Sequence, residues 1–360
     1  MRIVQVITAL NLGGAQTLLE ILSYGLQNAG MEVTVLSLED NHSAIAKRIE
    51  EQGIPVIYLD KRPHYDSTIT KKLGNVLKTI KPDIIHAHNI KKAYVYLAAR
   101  KAGVKRIVYT VHNMAWKEQN LVGGIFSYFM FHTGCMVPVG ISPNVTESIR
   151  ERYHLKSVLS IYNGTDLSRY HKKQSYSFHP KMRIINVARL DAQKNQKRLI
   201  DAFHIVLGKF PDIELILVGE GDLREELEKQ VLEKGLKDSV FFEGMQEDIP
   251  GYLYESDIFC LSSDYEGMPM TLIEAMASGL PIVSTAVGGI TDMLQNERSA
   301  LLTKLSTKEM ADALIRLLED ESLRMKLGKN PSRDVKQFSH TYMARRYISL
   351  YKKICNNVRQ

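Results

Sequence analysis

A chain of 360 residues, 44% hydrophobic and 24% charged, is long enough for two cores, since single cores rarely grow beyond about 250–300 residues. The composition excludes a disordered, collagen-like or repeat protein, and the scattered Cys135, Cys260 and Cys355 show no zinc spacing and suit a reducing cytosol. The net charge of +7 is uneven: residues 1–175 hold 22 Lys+Arg against 13 Asp+Glu (+9), and the remainder 25 against 27 (−2).

The first apolar stretch, Ile3 to Leu10, is short, lacks a cleavage site and runs into Gly13-Gly14 as a strand would, so no signal peptide is expected and RIVQVIT (2–8) is read as the first β-rich run. Behind those glycines Ala15, Leu18, Leu19, Leu22 and Leu26 recur at helical spacing until Gly30. Further β-rich runs follow at 32–38, 55–59, 83–88, 106–111, 136–142 and 158–162, with helical segments between them. Strands that are continuously apolar belong in a parallel sheet covered on both faces.

Within this half, 61–106 holds twelve basic residues, among them Lys71, Lys72, Lys91, Lys92, Arg100 and Lys101, against Asp66 and Asp83. Such a bias suits anionic lipid or a phosphorylated acceptor, or is a solvated helix face. No aromatic–basic interleaving accompanies it, so nucleic acid is not expected as a partner. Between Glu118 and Glu147 no residue is formally charged, and 121–131 reads LVGGIFSYFMF. His132, Thr133, Gly134 and Pro138 interrupt it before a span of about 20 apolar residues can form. A buried helix followed by a buried strand is expected; the alternative is a surface that dips into the bilayer interface.

Around 164–181 the pattern lapses into a polar, proline-bearing stretch, read as an interdomain linker. A second series of strands follows at 182–188, 213–219, 239–242, 257–262, 280–285 and 299–303, and the last helix is expected at about 340–358. The fold expected is α/β: two Rossmann-like doubly wound domains facing a central cleft, where such sheets bind ligands. Residues 1–170 form the first, 171–340 the second, and 341–360 a terminal helix.

Glycine loops at Asn11–Gln16 and Gly219–Asp222 join strands to helices, where backbone amides bind anions, although tight turns need glycine anyway. Neither is GxGxxG, which counts against a dinucleotide dehydrogenase. DYEGMPMTLIEAMASG (264–279) is more specific. Pro269 suits the first turn of a helix and Gly279 its end. Glu266 then precedes the helix, Glu274 lies about one turn inside it, and Gly267 bares amides near Met270 and Thr271. That offers two carboxylates for sugar and ribose hydroxyls and an amide cradle for a diphosphate. Arg189, just past a strand end, and Lys194, at a helix start, supply matching cations; Lys197 and Arg198 read as ordinary surface charges. His86, His88 and His112 end strands, and His86-Ala87-His88 has no evident third metal ligand. No Asp-x-Asp occurs, and Asp264-Tyr265-Glu266 is the nearest approach. Transfer without a metal is expected, with no cofactor.

These segments resemble glycosyltransferase family 4, a retaining family with the GT-B fold, over nearly the whole chain. LGGAQ (12–16), TVHN (110–113), GIS (140–142), YNGTD (162–166), VARLDAQKN (187–195), VGEGDL (218–223) and EGMPMTLIEAMASGLPIV (266–283) carry the likeness. It implies an acceptor-binding first domain, a donor-binding second domain, and a final helix that crosses back to the first. It implies that Glu266 and the amides around Gly267, Met268, Met270 and Thr271 hold the donor sugar. Glu274 then holds ribose, Arg189 and Lys194 the diphosphate, and Gly244 and Met245 lie near the base. His112 faces the sugar near the reacting carbon, and Gly14 and Asn163, from matched segments, complete the donor set. Retention by front-face attack rests on the resemblance alone. The resemblance implies a UDP-sugar donor. The basic, partly hydrophobic character of the first domain leans towards a glycan or polyprenyl-linked acceptor in bacterial-type polysaccharide or glycolipid assembly, and the setting expected is the cytoplasm, at an anionic membrane surface. Two alternatives share the fold: a sugar-nucleotide epimerase, and a non-catalytic sugar-nucleotide binder. Acceptor-dependent nucleotide release separates them.

Overall fold

The computed structural model describes the chain apart from Leu12, Asn41, Pro63, Tyr65, Gln119, Asn120, Pro180 and Asn357–Gln360. It divides into two compact units, Met1–Asp166 joined by the chain from Gln337 onward, and Leu167–Lys336.

The first unit contains strands β1 (Arg2–Ile7), β2 (Glu32–Ser37), β3 (Val56–Tyr58), β4 (Ile84–His88), β5 (Ile107–Val111), β6 (Val137–Gly140) and β7 (Leu159–Ser160). They form one parallel sheet in the order β3-β2-β1-β4-β5-β6-β7. β4 and β5 are buried at every position, as their unbroken apolar character requires. The order reverses between β1 and β4, so residues that follow β1, β4 and β5 gather at one sheet edge. The C-terminal helix His340–Asn356 lies against the helix Gly14–Asn28 in the same core, through Met343, Ala344, Tyr347 and Tyr351. The last two positions of the expected helix fall outside the described residues.

The second unit repeats the plan with β8 (Arg183–Val187), β9 (Glu214–Val218), β10 (Val240–Gly244), β11 (Ile258–Leu261), β12 (Ile282–Thr285) and β13 (Leu301–Thr303). Their order is β10-β9-β8-β11-β12-β13, again all parallel, reversing between β8 and β11. Its core is built on Ile184, Leu199, Phe203, Leu215, Leu217 and Leu314.

One expectation needs refining and another correcting. The chain passes from the first unit to the second at Asp166–Leu167, inside the polar stretch read as a linker, and from Leu167 onward that stretch is strapped along the second unit. Lys173 donates through Nζ to Asp257 at 2.6 Å, the Tyr176 hydroxyl donates to the Gly279 carbonyl at 2.8 Å, and the buried Arg324 holds the Tyr176 carbonyl at 2.8 Å. The uncharged segment does form a helix, Leu121–His132, and then β6, but the helix is not buried. It turns Gly124, Ser127 and Phe131 inward and leaves Val122, Ile125, Tyr128 and Phe129 exposed. The small residues allow close approach: a Cβ at Gly124 would lie 3.1 Å from Arg152 Nη2. Hydropathy reads such a segment as core because it cannot see which face finds a neighbour.

Candidate functional site

In the second unit, the loops leaving β8 and β11 meet where the strand order reverses. They are stitched together from both sides. The Asp264 amide donates to the Gln193 carbonyl at 2.8 Å, Gln193 Nε2 to the Tyr265 carbonyl at 3.0 Å, and Ser262 Oγ to the Lys194 carbonyl at 2.9 Å. Asn195, with φ 46°, caps the helix Gln196–Leu207 and donates through Nδ2 to both Asp264 carboxylate oxygens, at 3.1 and 3.2 Å. Arg198 is not the solvated cation its context suggested. It donates to Asp264 at 2.7 Å and to the Ser262 carbonyl at 2.8 Å, clamping one loop to the other. Lys197 is exposed and faces Glu226.

This stitching delivers an ion pair. Lys194 Nζ donates to Glu266 Oε1 at 2.6 Å, and Ser263 Oγ donates to the same oxygen at 2.6 Å. The Glu266 backbone is fixed too: the Gly289 amide donates to its carbonyl at 3.1 Å. Gly288, at φ 51°, passes so close that a Cβ there would stand 2.0 Å from the same carbonyl oxygen. Only glycine serves at that point. Arg189 is not brought into the pair. It is 69% exposed and donates to Asp191 at 2.9 Å, while the other oxygen of Asp191 accepts the Lys194 amide at 3.0 Å.

Pro269 is the N-cap residue of the helix Met270–Ser278, and Gly279 ends it at φ 71°. Gly267 and Met268 are buried beside Glu266; Met270 and Thr271, in the first turn, are half-buried. The amides of that turn lack intrahelical partners, and the dipole adds positive potential there. Glu274 is half-buried one turn further on. Burial pushes its carboxyl up to about 7, against the opposing pull of a hydrogen bond from Tyr170 and the charge of Arg169. Neither Tyr170 nor Arg169 stood out in the sequence, because both lie in the stretch read as linker.

Gly244 closes β10 at φ 68°, and its carbonyl accepts the Gly219 amide at 2.8 Å; Met245 beside it is exposed. The Gly219–Asp222 loop owes its glycines to packing, since a Cβ at Gly219 or Gly221 would lie 2.0 or 2.3 Å from the carbonyls of Ala188 and Leu190.

In the first unit Gly14 is exposed at a helix start, and Asn163 is buried where the chain passes under Ser339 and His340. His112 Nε2 stands 3.2 Å from His88 Nδ1, and His88 Nε2 stands 2.6 Å from Gln5 Oε1. His112 Nδ1 is buried without a partner among the described residues. Burial draws the His112 pKa down to about 4 and that of His88 well below its ordinary value, so both rings are neutral. His86 turns to the C-terminal helix instead, bonding Tyr351 and Thr110 at 2.7 Å each. Among the described residues no cluster of three or more His, Cys, Asp or Glu is placed to hold a metal.

The sequence did not signal a cavity of about 850 Å³ in this unit, lined among others by Lys61, Lys91, Tyr94, Tyr109, Val122 and Phe126. Lys92 is buried in its wall, 3.4 Å from Glu118 and 3.7 Å above the Tyr109 ring. Glu118 Oε1 has no hydrogen-bond partner among the described residues.

Comparison with known proteins bears on both units. The family model described as Glycosyltransferase Family 4 matches residues 12–169, and that described as Glycosyl transferases group 1 matches 169–334. An Escherichia coli protein, UDP-Gal:alpha-D-GlcNAc-diphosphoundecaprenol alpha-1,3-galactosyltransferase, is 29% identical over 72% of each chain. The N-acetyl-alpha-D-glucosaminyl L-malate synthase of Bacillus anthracis is 28% identical over 80% of this chain and 79% of its own. The crystal structure of Anabaena HepE in complex with UDP superposes with a TM-score of 0.85 at 21% identity, covering 98% of this chain and all of HepE. At that identity the likeness shows the fold.

Proposed function

The chain belongs to glycosyltransferase family 4 and has the GT-B fold, and from that premise we propose a specific transfer for it. A hexosyl group moves from a UDP-linked sugar to a glycan or polyprenyl-linked acceptor, with retained anomeric configuration and without a metal. The setting is bacterial-type polysaccharide or glycolipid assembly in the cytoplasm, on the inner face of an anionic membrane. One observation carries the reading: the second unit sets a buried Lys194–Glu266 pair and the raised carboxyl of Glu274 around one helix start.

In this reading Lys194 and the amides at Met270 and Thr271 take the diphosphate, and Arg189, exposed beside them, adds a second cation. Glu266, with the backbone of Gly267 and Met268, takes hydroxyls of the donor sugar. Glu274 accepts from the ribose diol, and Gly244 and Met245 border the base. Gly14, Asn163 and a neutral His112 are the first unit's contribution to donor binding. Negative charge grows on the diphosphate as the glycosidic bond breaks, and fixed cations and amides stabilise it most at that moment. The acceptor hydroxyl attacks from the face that the diphosphate leaves, and the departing phosphate oxygen takes its proton. The cavity with Lys61, Lys91 and Lys92 suits an acceptor that bears phosphate.

The E. coli relative's name, with its UDP-Gal donor and diphosphoundecaprenol acceptor, and the UDP held by HepE support the nucleotide and the acceptor class. A thermal-shift screen of nucleotide sugars, followed by UDP release with and without a polyprenol-phosphate lipid extract, tests the proposal. UDP-sugars should stabilise the protein, and release should require the extract. Release without any acceptor, or stabilisation only by another nucleotide, would overturn it.

A further inference from the structure

We propose that the helix Leu121–His132 anchors the first unit in an anionic bilayer by inserting its outer face between lipid headgroups. This deepens the membrane setting proposed above. Its test needs neither donor nor acceptor, so its failure leaves the transfer reading untouched.

The helix is inverted relative to an ordinary surface helix. Gly124, Ser127 and Phe131 recur at i, i+3 and i+7 and are the buried face. Val122, Ile125 and Phe129 recur at the same spacing on the other side, 75%, 54% and 57% exposed, with Tyr128 beside them. No Asp, Glu, Lys or Arg lies along it, and its one histidine, His132, is in the last turn. A water-facing helix gains nothing from this arrangement, whereas a helix lying in the interface plane buries such a row in the acyl boundary. Phe131 packs edge-on against Tyr153, with ring centroids 5.1 Å apart, so the inner face is seated while Val122, Ile125 and Phe129 stay open to solvent.

The surroundings identify the occupant. The helix packs against Lys92–Ala102, which in turn packs on Ile69–Ile80. Around these two helices Lys71, Lys78, Lys81, Lys91, Arg100, Lys101 and Lys105 are all exposed. An apolar ridge on a unit that also exposes this many bases complements a bilayer that carries anionic headgroups. Val122 and Phe126 also line the 850 Å³ cavity. Its wall is thus continuous with the proposed anchor, so a lipid-borne acceptor would meet the cavity without leaving the bilayer.

Trp116 is the only tryptophan in the chain and is 51% exposed in the short helix before the anchor, which makes its emission a reporter. The full-length protein is floated with phosphatidylcholine vesicles with and without phosphatidylglycerol, in low salt and in about 1 M NaCl. The parent should float with the anionic vesicles and remain partly bound in high salt. Trp116 emission should move to the blue and be quenched by brominated acyl chains. The variant Ile125→Glu/Phe129→Glu, changed only at exposed positions, should melt like the parent and lose at least about tenfold in vesicle partitioning. Undiminished flotation of that variant overturns the proposal. So does complete release of the parent by salt without a Trp116 shift, which would leave the bases alone as the attachment. A concentration-dependent dimer in sedimentation that the same variant abolishes assigns the ridge to a second copy and equally overturns it.

Discussion

Replacing Lys194 by methionine removes the cation from an ion pair whose side chains are 15% and 5% exposed and whose N···O distance is 2.6 Å. At an effective dielectric constant of about 20, unit charges that close attract by roughly 6 kcal/mol, most of which desolvation cancels. Removing one partner is costlier than the pair's net worth, because a stranded buried charge remains; such losses run to about 3–5 kcal/mol. Ser263 still donates to Glu266, which places the expected cost of Lys194→Met near the lower end, about 3 kcal/mol. For a unit of this size that is a fall in melting temperature of roughly 6–12 °C. Adding Glu266→Gln removes the stranded charge, so Lys194→Met/Glu266→Gln should recover most of the stability. On the proposed role of Lys194 it should not recover turnover; both variants should be about 100–1000-fold slow at saturating donor. Calorimetric melting of the three proteins, beside saturation kinetics of UDP release, separates the two effects. A double variant that regains its rate together with its stability would refute the assigned role of Lys194. A Lys194→Met protein that melts like the parent would refute the buried pair itself.

Glu274 should make both stability and nucleotide affinity depend on pH. Its carboxyl is raised from 4.5 to about 7 in the folded chain, so the stability it lends as a protonated group is complete below 4.5 and lost as pH rises through 7. Glu274→Gln should melt like the parent at low pH and be more stable at about pH 8.5, by up to ~3 kcal/mol. UDP affinity should rise with pH across that window in the parent and stay flat in the variant, by calorimetric titration. His112, drawn down to about 4, should destabilise the parent as pH falls from its ordinary 6.5, and melting of His112→Gln should lack that acid limb. Gly288→Ala forces a Cβ against the Glu266 carbonyl at a left-handed backbone position, at a cost of about 1–3 kcal/mol; in kinetics it should slow turnover by displacing Glu266. On the proposed reading, in which cations and helix amides supply the positive charge, turnover should survive EDTA; loss on chelation with rescue by magnesium would contradict this.

The architecture was legible because parallel strands buried on both faces announce themselves as unbroken apolar runs, as β4 and β5 show. Strand ends then place Lys194 and Glu266 at neighbouring loops, and the structure does join them. What sequence could not supply is contact between distant segments. Arg198 sits 66 residues from the Asp264 it clamps, and Ser263 and Gly288 serve Glu266 through its oxygen and its backbone without any local pattern. Tyr170 and Arg169 looked like linker because polar composition is also what a segment strapped to a carboxylate requires. Glu20 and Arg48 pair across 28 residues for the same reason. The uncharged helix misled in the opposite sense. Hydropathy measures what a side chain prefers, while exposure depends on whether Gly124 and Ser127 or Ile125 and Phe129 face the neighbouring helix.

The central claim, that the second unit holds a uridine nucleotide between Lys194 and Glu274, is tested most directly by calorimetric titration of UDP into the parent and into Glu274→Ala at about pH 8. The parent should bind one UDP. The variant, folded by circular dichroism, should bind about 5–150-fold more weakly, as expected for losing roughly 1–3 kcal/mol of hydrogen bonds to a charged group. No heat with UDP, or equal affinity in the two proteins, would contradict the account.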